Sequence, residues 1–220
     1  MMLSDRGIRA RLDGQHEDGT NCQRLVIEPL RRPNSSDDGG AIQGCAVDLR
    51  LGTWFEIPRL HTRAAYELDE PGPRSPGERP GKTVYVPFGG CFFLHPGNFV
   101  MAVTLEWLGM PADLSGTVTG KSKWGRRGLN VATATLVHPN FVGCLTLELA
   151  NIGEHPITLK PGVTVCQLSL QQLSSAALEP VKGSFLMGHR RPVHADVVLD
   201  TRAAALSKGG SIEDGVTETF

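Results

Sequence analysis

The sequence predicts a mainly β protein, a sandwich or barrel of short strands, and three observations carry that expectation. Gly (26 residues) and Pro (15) punctuate the 220-residue chain at short intervals. Between these breaks lie runs of 5–8 residues rich in Val, Leu, Thr and Phe, the composition of strands. Only one stretch, near the start, repeats apolar residues at helical spacing.

That stretch is the first element. Ser4 reads as an N-cap, Ile8 and Leu12 fall on one face, and Gly14 ends the run. Residues 16–44 are polar and irregular, with RRPNSSDDGG reading as a surface loop, and residues 67–82 (ELDEPGPRSPGERPGK) read as a second loop. Strands are expected at 46–51 (AVDLRL), which alternates, and at 99–105 (FVMAVTL), which is apolar on both faces and so reads as buried. In LTLELA (145–150) three leucines alternate with Thr146, Glu148 and Ala150, and VTVCQLSL (163–170) follows a Pro161-Gly162 turn. No internal repeat is visible. The pattern weakens from Lys182 onward, giving one domain over 1–181 and a loose tail or lid over 182–220.

Composition excludes several classes of function. The chain carries 22 Lys+Arg against 23 Asp+Glu, a formal charge of −1, which argues against a protein that coats nucleic acid or a membrane surface. It holds no run of about 18 apolar residues, and MMLSDRGIRARLDGQ lacks the apolar core of a signal peptide. Five cysteines (22, 45, 91, 144 and 166) form no CxxC pair and no even set, so reduced, buried thiols in a cytoplasm are expected.

Local charge says more than the total. Residues 114–147 contain no Asp or Glu, and inside that window lies KSKWGRR, with Lys121, Lys123, Arg126 and Arg127. Lys, Ser and Arg side chains beside Gly120 suit a phosphate group, although a solvated basic loop fits the same residues. The window ends on Glu148. Alternation puts this carboxylate on the face opposite Leu145, Leu147 and Leu149, beside the small groups of Cys144, Thr146 and Ala150. Two readings stay open, an exposed strand glutamate or a general base next to a phosphate site. Seven scattered histidines show no metal-ligand spacing, and the HxE…PCxxC signature of zinc nucleobase deaminases is absent. GxSxG, GxGxxG and GxxxxGK[ST] are absent as well.

Six blocks resemble the dCTP deaminase family of the trimeric dUTPase-like superfamily, in order and in spacing. They are MMLSDRGI, CAVDLRLG (45–52), LHPGNFVMAVTLEWLGMPADLSG (94–116), GKSKWGRRGL (120–129), TATLVHPNFVGCLTLELAN (133–151) and PITLKPGVTVCQLSL (156–170). The resemblance covers residues 1–173. It implies a distorted β-barrel or jelly-roll subunit with a short N-terminal helix, a homotrimer with active sites between subunits, and dCTP bound with Mg2+ as substrate. Ser122 and Arg126 match the family's active-site Ser and Arg, and Glu148 matches its deaminating glutamate. By the same resemblance Lys121 and Lys123 hold the triphosphate, with Gln167 near the phosphates. Thr133 and Ala134 offer backbone to the base, and Phe141 lies against the deoxyribose. No zinc is required.

Four departures accompany the resemblance. Lys123 replaces a serine; His138 and Asn140 replace an Asp and a Gly; the chain is one residue shorter between Gly128 and Phe141; and the tail lacks the usual closing segment with Tyr and Gln. Because His138 stands where dUTPases carry an Asp that activates water, the expected product is dUTP without release of pyrophosphate. Two alternatives are a deoxynucleotide-binding or regulatory module with altered catalysis, and a dUTP pyrophosphatase.

Overall fold

A computed structural model describes residues 1–31, 40–58 and 81–178. The expected domain boundary at 181, the tail over 182–220 and most of the second loop lie outside these residues. Helix α1 spans Asp5–Leu12, and the Ser4 hydroxyl accepts the Gly7 N–H at 3.3 Å as the N-cap should. Its inner face buries Ile8 and Arg11 completely or nearly so.

The remaining elements are strands and one further short helix. In chain order they are β1 (Val26–Glu28), β2 (Ile42–Gln43), β3 (Ala46–Ile57), β4 (Lys82–Tyr85), β5 (Phe92–Leu94), β6 (Phe99–Gly109) and β7 (Leu114–Gly120). Then follow α2 (Ser122–Gly125), β8 (Leu129–Val131), β9 (Leu136–Val137), β10 (Val142–Asn151), β11 (Ile157–Leu159) and β12 (Thr164–Gln172). Two expectations need correction. The irregular stretch 16–44 contains β1 and β2, which exist because they pair with β6 and β3 rather than through any pattern of their own. The alternating strand at 46–51 runs on to Ile57 and buries residues on both faces, because it is the centre of the sheet.

The main sheet follows the order β8-β10-β6-β3-β12-β7-β9, with β1, β2 and β4 added beside it, while β5 and β11 form a separate pair. Its two end strands, β8 and β9, are separated in sequence by residues 132–135 alone, so the sheet has to curl back on itself. The curl brings β7 against β8 so closely that a Cβ on Gly120 would lie 3.2 Å from the Val131 side chain. Bending starts in the centre. The β3–β6 register shifts between Leu51 and Phe55, where a Cβ on Gly52 would meet the Val103 carbonyl at 2.9 Å. The result is the mainly β, distorted half-barrel expected from sequence. Its core gathers Leu49, Leu51, Phe55, Leu147, Leu149 and Leu168, each inaccessible to solvent. Burying one such side chain contributes about 1.5–3 kcal/mol.

None of the five cysteines pairs with another in a disulfide, but the expectation of buried thiols holds for Cys166 only; Cys45 and Cys91 are exposed. Burial pushes the Cys166 thiol up to about 12, and the Glu106 and Asp48 carboxylates push the same way, so it is inert.

Candidate active site

The KSKWGRR segment of the acid-free window is the crossover from β7 through α2 to β8, at the seam where the sheet curls back. Lys121 opens it. Its amide donates to the Val165 carbonyl at 3.0 Å, and its ammonium lies 2.5 Å from Asp48 Oδ1 and 3.5 Å from Gln167 Oε1. Asp48 and Gln167 are register partners on β3 and β12, so two neighbouring strands present both acceptors to one cation. Sequence reasoning missed Asp48, and its signal was the single acid of the strand AVDLRL. The Asp48 side chain is 10% exposed and that of Lys121 is 21% exposed, so this ion pair is shielded well beyond an ordinary surface pair.

Residues 122–127 form one tight turn. The Arg126 amide donates to the Ser122 carbonyl and the Arg127 amide to that of Trp124. Positions four apart on such a turn share a face, which aligns the exposed Ser122 and Arg126. Trp124 is half-buried against the core, and Lys123 and Arg127 both lie over its ring, at 5.0 and 5.3 Å from the centroid.

Glu148 sits in β10, where burial alternates as the sequence predicts: Leu145, Leu147 and Leu149 point to the core, and Glu148 is half-buried on the other face with Cys144, Thr146 and Ala150. Its backbone is held on both sides. The Glu148 N–H donates to Thr133 Oγ1 at 3.0 Å, and its carbonyl accepts the Ala132 N–H at 2.8 Å. Thr133 thus stands beside the glutamate, and Ala134 follows it into solvent. The one-residue shortening between Gly128 and Phe141 precedes β10, whose alternation of buried and half-buried residues is intact.

After β9 comes a turn at residues 138–141, closed by the Phe141 N–H on the His138 carbonyl at 3.3 Å. Asn140 has φ of +61°, a conformation that Gly adopts freely and that Asn tolerates best among other residues, so the Gly-to-Asn departure keeps the turn. His138 is half-buried. Phe141 is 7% exposed and belongs to the core cluster, which leaves little of its ring for a ligand. The structure therefore gathers the candidate residues into two groups, Glu148 with Thr133 and Lys121 with Gln167. Among the described residues no hydrogen bond or ion pair joins Glu148 to Ser122 or Arg126.

Against known proteins, the family model described as dCTP deaminase-like matches residues 3–173, ending one residue past β12. The chain belongs to this family. A relative from Dictyoglomus thermophilum named "dCTP deaminase, dUMP-forming" is 40% identical over 181 residues, covering 82% of this chain and 84% of the relative. One of the same name from Rhodococcus opacus is 38% identical over 205 residues, covering 91% and 98%. The crystal structure of 2'-deoxycytidine 5'-triphosphate deaminase from Agrobacterium tumefaciens superposes with a TM-score of 0.54 at 23% identity. It covers 78% of this chain, and this chain spans about half (48%) of that one; at this identity the likeness is one of fold. The relatives' names disagree with the expectation of dUTP as end product, since they specify dUMP.

Proposed function

We propose that this protein deaminates dCTP hydrolytically and goes on to release pyrophosphate, ending at dUMP. The observation that supports the first step best is the placement of Glu148, on a face of small side chains with its backbone clamped by Thr133 and Ala132. Glu148 takes a proton from water, the hydroxide attacks C4 of cytosine, and the proton passes to N3 or to the departing ammonia. Ser122 and Arg126 orient the water and stabilise the charge that develops, with no zinc in the reaction. Lys121, Lys123 and Gln167 bind the triphosphate, which arrives as its Mg2+ complex, the ion held by phosphate oxygens. The ion pair to Asp48 keeps the Lys121 ammonium at a fixed place before substrate enters.

The second step needs a water activated against the α-phosphate. His138 stands at the position where the resemblance puts an Asp in dUTPases, and a neutral imidazole can take that proton. The product named in the relatives supports a second step of this kind, and the role of His138 in it is part of the proposal. The working site is proposed to form between subunits of a homotrimer, as the family resemblance implies.

The test is incubation with dCTP and Mg2+, with separation of dUTP, dUMP and ammonia. The parent chain yields ammonia and dUMP in equal amounts, and His138→Ala yields ammonia with accumulated dUTP. Ammonia with dUTP alone from the parent chain removes the second step. A second reading, a deoxynucleotide-binding module without turnover, is favoured by the Lys123 and His138 departures. Calorimetric binding of dCTP with no ammonia over hours selects it.

A further inference from the structure

The KSKWGRR turn carries a residue that neither the charge pattern nor the family resemblance assigns. At about 100° per residue, Ser122 and Arg126 point within roughly 40° of each other, and Trp124 points roughly 160–200° away from both. That opposite direction is the core. Trp124 packs against the buried cluster, and its indole N–H donates to the Thr164 carbonyl at 2.7 Å. Thr164 begins β12, the strand that also carries Gln167 and that receives the Lys121 amide at Val165. Lys123 and Arg127 lie at intermediate angles and rest on the indole ring.

We infer that Trp124 is a positioning residue, which fixes the rotation of this turn about its own axis and so decides what Ser122 and Arg126 present to substrate. The turn has little else to hold it. Its ends are pinned, by the Lys121 N–H on the Val165 carbonyl at 3.0 Å and by the Ile152 N–H on the Gly128 carbonyl at 2.9 Å, but between them the other hydrogen bonds of residues 122–127 are main-chain bonds within the turn, and Ser122, Lys123, Arg126 and Arg127 are all exposed. Between the pinned ends, the indole N–H is the one side-chain hydrogen bond among the described residues that ties residues 122–127 to the sheet, and it sets their rotation. The ring also gathers two cations on one side of the turn, which limits how far each can swing.

This inference rests on the deaminase reading, and the experiment separates the two. Full-length parent, Trp124→Phe and Trp124→Leu are compared for kcat and KM with dCTP, after circular dichroism and thermal unfolding establish the folded fraction. Trp124→Phe keeps a ring for the core and the cations but loses the N–H, and Trp124→Leu loses both. Per folded enzyme, the expected kcat falls about tenfold in Trp124→Phe and about 100-fold in Trp124→Leu, the scale of a small misplacement of reacting groups. KM in Trp124→Phe stays within threefold, because the cations keep their platform. A purely structural role would lower the folded fraction and leave kcat per folded enzyme unchanged, and that result overturns the inference. If Trp124→Leu does not fold, Trp124→Phe decides alone by the same criterion. A parent chain that releases no ammonia from dCTP fails the deaminase reading instead.

Discussion

Thr133 Oγ1 accepts the backbone N–H of Glu148 at 3.0 Å, tying the link after β8 to the strand that carries the proposed base. The bond replaces a sheet hydrogen bond at the point where β8 has ended, since Val131 is the last residue paired with β10. A side chain outside any strand thereby continues the ladder past Glu148. Thr133→Val keeps the shape and deletes the acceptor, leaving a half-buried N–H without its partner at a cost of about 1–3 kcal/mol. We expect kcat to fall roughly tenfold, with Thr133→Ser close to the parent. Steady-state kinetics and denaturant unfolding of the three proteins check this.

Asp48 and Lys121 make the second relationship on which the account depends. Asp48→Asn keeps the shape but removes the charge 2.5 Å from the Lys121 ammonium. With both partners shielded, we expect about 1–3 kcal/mol of lost stability, below the cost of breaking a wholly buried pair. We also expect a KM for dCTP raised several-fold, because Lys121 loses its fixed position. Equal KM with lowered stability would confine Asp48 to a structural role.

Acid stability provides a third check, away from the site. The Asp113 carboxylate receives hydrogen bonds from buried Arg11 and from Gln172 at 3.0 Å. Burial alone pushes its pKa up, but these bonds and the Arg11 charge outweigh it and hold the pKa below 3.8. A depressed carboxylate pKa contributes stability that is present above the unfolded value and lost as pH falls through the folded one. Asp113→Asn is therefore expected to lower the unfolding midpoint at neutral pH. Its deficit against the parent should shrink as pH drops below about 4, as thermal scans across a pH series would show.

Much of the fold is legible in the sequence where one face of a strand meets the core. LTLELA shows its facing because β10 buries Leu145, Leu147 and Leu149 and nothing on the other side. AVDLRL misleads, since β3 at the sheet's centre buries both faces and its alternation has no meaning there. β1, β2, β8 and β9, two or three residues each, exist only through their pairing. At the site, the acid-free window and Glu148 stand out because charge is a local property. Asp48 and Trp124 do not, because their partners lie 73 and 40 residues away and are brought near only by the curl of the sheet.

Ammonia release from dCTP in Glu148→Gln decides whether Glu148 is the base for deamination. The substitution keeps the backbone bonds to Thr133 and Ala132 and removes only the proton acceptor. Turnover is expected to fall about 1,000-fold or more, within the range ascribed to a positioned general base, with dCTP still bound by calorimetry at close to the parent's affinity. Ammonia release at the parent rate from Glu148→Gln would contradict it.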